Sequence, residues 1–122
     1  MGDTANAILH YEAVIKYQKD SWEAMTNLGV IYDAKKDVAG TGKYYRMAYE
    51  AAPEEALTAS NLANYYFSNA QRLGSSGQTD SALLFYHNGL RINPEQTGAF
   101  SAMADIFTGR EQYDSSVVYL NK

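Results

Sequence analysis

The chain has no cysteine, a single tryptophan and only two prolines in 122 residues. Lack of cysteine excludes disulfide staples, thiol catalysis and zinc sites of the cysteine type. It does not fix the compartment. Basic residues are also scarce, 10 against 14 acidic for a net charge of −4, and they form no cluster. Binding a nucleic-acid backbone needs clustered Lys and Arg, so nucleic acid is not an expected partner. No apolar run approaches the roughly 18 residues of a membrane span. Asp3 and Asn6 interrupt the start, so no secretory leader is visible. Met1-Gly2 opens like a myristoylation signal, but Asn6 stands where Ser or Thr is required. The expectation is a soluble single domain, cytoplasmic by default.

What the chain does have is tyrosine, 11 of them, in a composition that is 46% hydrophobic. Tyr packs its ring on apolar neighbours and keeps its hydroxyl wet, which suits thin helical layers. The two prolines, Pro53 and Pro94, close the same pattern. Leu28-Gly29, Tyr32, Tyr45 and Ala48 precede Pro53, while Leu62-Ala63, Tyr66, Tyr86 and Gly89 precede Pro94. Leu28 to Leu62 and Tyr32 to Tyr66 are each 34 residues, as are Tyr11 to Tyr45, Val14 to Ala48 and Ala82 to Ser116. A self-match at a fixed period of this size marks a repeat of helical hairpins.

One break interrupts the period. Pro53 to Pro94, Leu62 to Met103 and Tyr66 to Phe107 are each 41, so seven residues are added between Tyr66 and Ala82. Phe67, Ala70 and Leu73 continue the helical spacing, and Gly74-Ser75-Ser76-Gly77 gives a turn. Seven residues are close to two turns, and the reading is that both helices of the middle unit grow by about one turn each. A seven-residue loop is the alternative.

The pattern predicts about seven helices, over 3–17, 22–36, 40–51, 54–73, 79–92, 95–108 and 112–121. Asp20 with Glu23 fits a capping box. Asn93-Pro94-Glu95-Gln96 fits an N-cap followed by proline at the first helical position. Thr79 or Asp80 is the expected cap of the fifth helix. Gly74 and Gly109 fall where helices should end. Gly29, Ala63, Ala48 and Gly89 are expected where paired helices cross closest, with Tyr32, Tyr66 and Phe107 filling the layer between helices.

This register resembles the tetratricopeptide repeat. Counting from Trp22, the first unit has Met25, Leu28, Gly29, Tyr32, Thr41, Tyr45, Ala48 and Pro53. The second, from Ala56, has Ala59, Leu62, Ala63, Tyr66, Ala82, Tyr86, Gly89 and Pro94. The third begins at Thr97 and carries Phe100, Met103, Ala104, Phe107, Ser116 and Leu120. Met25 stands where the family prefers tryptophan, and Thr41 where it prefers alanine. The resemblance implies an all-α fold, an α-α superhelix in which antiparallel helix pairs form a right-handed solenoid. Its units are 1–21 (the second helix of a partial repeat), 22–55, 56–96 with the insertion, and 97–122, truncated. The chain reads as an excerpt of about three repeats from a longer array. Such arrays need polar capping helices, and self-association through uncapped terminal helices is expected.

Motifs for chemistry are thin. Gly40-Thr41-Gly42-Lys43 resembles part of a phosphate loop, but Asp37 replaces its first glycine and Tyr44 its final Ser or Thr. A turn between helices is the expectation there. His10 and His87 have no partner ligand at helical spacing, and no nucleophile elbow surrounds any serine. No enzyme, metal or cofactor is expected.

The resemblance also implies a working surface. In this family the first helices of successive units line a concave groove. The groove residues so implied are Glu23, Thr26, Asn27 and Asp33, then Ser60, Asn61 and Asn64, then Ser101 and Asp105. Val30, Leu57, Phe67, Gly98 and Ala102 fall on the same face. It is rich in amides and hydroxyls, acidic where charged, and has no Lys or Arg. The basic clamp with which many relatives hold a C-terminal carboxylate is therefore not expected, since Thr26, Gly98 and Ala102 stand at its positions. Carboxamides can instead pair with an extended peptide backbone. Asn27 and Asn61 resemble the asparagine row of the repeat superhelix in protein O-GlcNAc transferases. Two functions follow. One is a non-catalytic module that binds an extended protein or peptide segment, where Lys or Arg would meet Glu23, Asp33 and Asp105. The other is a structural or self-assembling scaffold within a larger protein, whose other domain could be an enzyme.

Overall fold

The computed structural model describes the backbone of residues 2–114 and the side chains of residues 3–109. The described chain is all-α: six helices and no strand. They are α1 (Gly2–Tyr17), α2 (Trp22–Ala34), α3 (Val38–Ala51), α4 (Ala56–Ser75), α5 (Thr79–Ile92) and α6 (Thr97–Asp114). The chain divides into two compact units between Tyr65 and Tyr66, inside α4. Most of the expected seventh helix lies outside the described residues, and 112–114 belong to α6. The first helices begin on Trp22, Ala56 and Thr97, the residues counted as position one of each unit. The expected ranges 54–73 and 95–108 start two residues early.

Each α-to-α turn follows from local chemistry. After α2, Lys36 has φ 63°, and after α4, Gly77 has φ 86°. At both places the next amide reaches back five residues, Asp37 N to Tyr32 O and Gln78 N to Leu73 O, each at 2.9 Å. This is a Schellman closure, which satisfies carbonyls that a helix end leaves free. Gly74 lies one residue before the end of α4, with Gly77 as the left-handed residue. Gly109 ends nothing, because α6 runs through it to Asp114.

The other turn type closes α3 and α5. Ala52 (φ −145°) and Asn93 (φ −129°) immediately precede the two prolines and have left the helical region. The proline ring disfavours a helical residue before it, so each helix stops there. The amide of Ala52 bonds Ala48 O, and that of Asn93 bonds Gly89 O, both at 2.9 Å. The same pattern occurs after α1, where Gln18 N bonds Val14 O at 2.7 Å, without a proline. Thr58, fully buried, donates its hydroxyl to Ala52 O at 2.6 Å and ties α4 to the end of α3.

The caps differ from expectation. Asp37 caps α3, its carboxylate accepting from Gly40 N at 3.0 Å. Ser21 rather than Asp20 precedes α2, with no side-chain cap, so no capping box forms. Gln78 rather than Thr79 or Asp80 precedes α5, also without a side-chain cap. Asn93 ends α5; its side chain accepts from Glu95 N at 3.3 Å, in a turn that places Pro94 before α6 rather than in its first turn.

The seven added residues sit in one helix. α4 has 20 residues against 13 in α2, a difference of seven, while α3 and α5 both have 14. Growth is not shared by both helices, and no loop is added. Phe67, Ala70 and Leu73 extend the apolar face, and no helix breaker interrupts it. Ala70 and Leu73 lie in a core cluster with Ala82, Tyr86 and Ala99.

The longer helix changes how its hairpin closes. In the first hairpin Gly29 of α2 faces the ring of Tyr45 on α3. In the second the glycine is on the other helix: Gly89 of α5 faces the ring of Phe67 on α4. In both, pairs further from the turn on one helix meet residues further from it on the other, which makes the helices antiparallel. One ring pair keeps its repeat position. Tyr32 stacks on Tyr44 with centroids 5.5 Å apart, and Tyr66 meets Phe85 edge-on at 5.8 Å. Phe107, at the position of Tyr32 and Tyr66, is instead 48% exposed.

Candidate functional site

α2 presents Glu23, Asn27 and Asp33 to solvent, and α4 presents Ser60 and Asn64, with Asn61 half-buried. Val30 and Leu57 are exposed on the same two helices. In the second unit, Ser101 and Asp105 are exposed on α6. Thr26 is different. It is 6% exposed, and its hydroxyl has no hydrogen-bond partner. Five of the six residues from Ala24 to Gly29 are buried, because α2 packs against both α1 and α3. Thr26 is therefore a core position and not a surface contact.

A cleft of about 210 Å³ opens in the second unit. Phe67 and Gln71 of α4 form one wall, and Gly98 and Ala102 of α6 form the other. Buried Tyr86 and Ala99 lie beneath, and Gln96 sits at the turn into α6. Of these, Phe67, Gly98 and Ala102 belong to the face expected from the sequence. Gln71 lies in the seven residues of α4 that have no counterpart in α2, and no period could place it. Tyr86, Ala99 and Gln96 were hidden for a related reason: a hairpin's floor depends on how far its helices slide. None of the nine expected groove residues lines this cleft.

The cleft's chemistry is neutral. Its lining combines two rings and small side chains with two carboxamides, and no ionisable group except the Tyr86 hydroxyl. Burial pushes that hydroxyl's pKa up, so it stays protonated over a wider range than a free tyrosine. Among the described residues Gln71 and Gln96 have no side-chain hydrogen bond, which leaves both donors and acceptors available. A Cβ added at Gly98 would meet only Gln96 Nε2, at 4.0 Å, so the space over Gly98 is open.

The first unit holds a different polar cluster. Lys35 Nζ lies 5.5 Å from the Tyr32 ring centre and Lys43 Nζ lies 5.1 Å from that of Tyr44, at either end of the stacked pair. Burial raises the Tyr44 pKa first, and the nearby Glu12 carboxylate raises it further. The segment Gly40-Thr41-Gly42-Lys43 is the first turns of α3 and not a turn between helices. Gly42 packs against Tyr65, whose hydroxyl donates to Val38 O at 3.2 Å. Its glycines are there for close packing, and Asp37 already occupies the helix N-terminus. Among the described residues, no three His, Cys, Asp or Glu side chains gather as a metal site would require, and no helix is long and apolar enough to cross a membrane.

No family model matches the chain, and no curated protein matches it in sequence.

Proposed function

We propose that the chain is a protein-interaction module of the tetratricopeptide type, without catalysis, which binds an extended peptide along the exposed faces of its first helices. The observation that carries this reading is the exposed carboxamide and hydroxyl set on α2 and α4: Asn27, Ser60 and Asn64, with Asn61 half-buried beside them. Such groups pair with peptide N–H and C=O groups without demanding a charge. Glu23 and Asp33 add negative charge, which favours a segment carrying Lys or Arg. Recurrence of the Gln18, Ala52 and Asn93 turns at spacings of 34 and 41, and of the Schellman turn at 41, supports a series of helix hairpins, the usual carrier of such surfaces.

Peptide-display selection with the full chain tests the reading. A recovered consensus is expected, and replacing Asn61 and Asn64 together with Ala should weaken the selected peptide about tenfold. Unchanged affinity would remove these residues from the binding face. A second reading, self-assembly, is favoured by one observation: α1 exposes Leu9 at 64% and Tyr17 at 81%. Light scattering over a concentration series decides it, since a mass that stays monomeric throughout eliminates self-assembly.

A further inference from the structure

The geometry points to a side-chain subsite in the cleft between α4 and α6, which takes one uncharged apolar residue of an extended peptide while Gln71 and Gln96 bond its backbone. This rests on the peptide-binding reading above and gives it a specificity. Three observations choose the occupant. The volume, about 210 Å³, is below the range of sites for whole small-molecule ligands and fits a single Leu, Met or Phe side chain. The Phe67 and Tyr86 rings supply an apolar lining, and no Lys or Arg is present to receive a carboxylate. The two carboxamides each offer a donor and an acceptor, the complement of an extended backbone.

Charge selects what flanks the anchor. Glu95 precedes Gln96, and Asp105 lies one helical turn beyond Ala102 on α6; both are exposed. A peptide with Lys or Arg on either side of the apolar residue complements them. The subsite exists because α4 is two turns longer than α2, since Gln71 lies in that added stretch.

Gly98 supplies a discriminating variant. Its Cβ direction leads into open space, so Gly98→Leu fills the cleft without a backbone clash, and replacing a helical glycine favours the fold. Gly109→Leu is the control: it lies on the same helix, outside the cleft, with no atom of the described residues within 4 Å of an added Cβ. The probe is a random heptamer library displayed on phage, selected against the wild-type chain and both variants, with circular dichroism verifying the fold. The expected consensus has one Leu, Met or Phe flanked by Lys or Arg. Binding of a synthetic consensus peptide should fall at least tenfold with Gly98→Leu and stay unchanged with Gly109→Leu. A consensus that lacks the apolar residue, or that binds Gly98→Leu equally well, overturns the subsite and leaves the broader peptide-binding reading standing. No consensus from any of the three proteins overturns both. A concentration-dependent mass that Gly98→Leu abolishes would give the cleft to a second copy of the chain and also overturn the subsite.

Discussion

Lys36 and Gly77, 41 residues apart, carry the same left-handed backbone at the same place in two Schellman turns, with φ of 63° and 86°. Glycine adopts this conformation at no steric cost, whereas a side chain adds roughly 1 kcal/mol of strain. Lys36→Gly should therefore stabilise the chain by up to about 1 kcal/mol, and Gly77→Ala should destabilise it by about the same. Urea denaturation of the two variants reads both signs.

Gly29 and Gly89 each lie hard against a ring of the paired helix, leaving no room for a Cβ. Gly29→Ala and Gly89→Ala should each destabilise by about 1–3 kcal/mol through overpacking, although alanine is the better helix former. Gly109→Ala, with nothing within 4 Å of an added Cβ among the described residues, should show the opposite sign, a gain of up to about 1 kcal/mol. Thermal melts of the three variants separate packing from propensity.

The caps of α3 and α5 are unequal. Asp37→Ala removes the bond to Gly40 N and should destabilise by about 1 kcal/mol. Gln78 occupies the matching position without a cap bond, so Gln78→Asp should stabilise by a comparable amount. Amide hydrogen exchange in the first turn of each helix localises both effects.

Thr26 buries a hydroxyl with no partner. Thr26→Val keeps the shape and removes the desolvated group, and should stabilise by about 1 kcal/mol. A destabilised Thr26→Val variant in chemical denaturation would contradict the placement.

Burial raises the pKa of Tyr32, Tyr44, Tyr45 and Tyr86 above the ordinary tyrosine value of about 10. The folded chain thus holds these protons at a pH where the unfolded chain has released them. Their contribution to stability is fully present below about pH 10 and is lost as pH rises through the folded values. Stability measured from pH 8 to pH 12 should be level and then decline. The decline should be shallower in Tyr45→Phe, and tyrosinate absorbance should titrate late in the wild type.

Much of the fold is legible in the residues because period and turn chemistry agree. Trp22, Ala56 and Thr97 open helices as the repeat requires, and the residues before Pro53 and Pro94 leave the helix as proline dictates. What stays illegible is how the seven added residues are shared. Apolar spacing past Tyr66 fits either one long helix or two slightly longer ones; only packing decides, and it moves the ring-on-glycine contact from Gly29–Tyr45 to Phe67–Gly89 with the partners exchanged. The site follows the same rule. Surface amides such as Asn27 and Asn64 fall where the period puts them, but Thr26 is buried by two neighbours at once. Gln71 has no counterpart from which a position could be inferred.

The length of the insertion in α4 has an angular consequence. Seven residues advance a helix by about 10.5 Å and turn it to within about 20° of two full revolutions. Such a block lengthens a face almost without rotating it. A block of six or five residues would have ended α4 about 100° or 200° short of that phase, so the turn into α5 would leave from a different side of the helix. The added length is thus near the shortest whole-phase step an α-helix allows after a single turn. Deleting 69–75 as a block would correspondingly draw the turn into α5 back by about two helical turns while changing its direction by only about 20°.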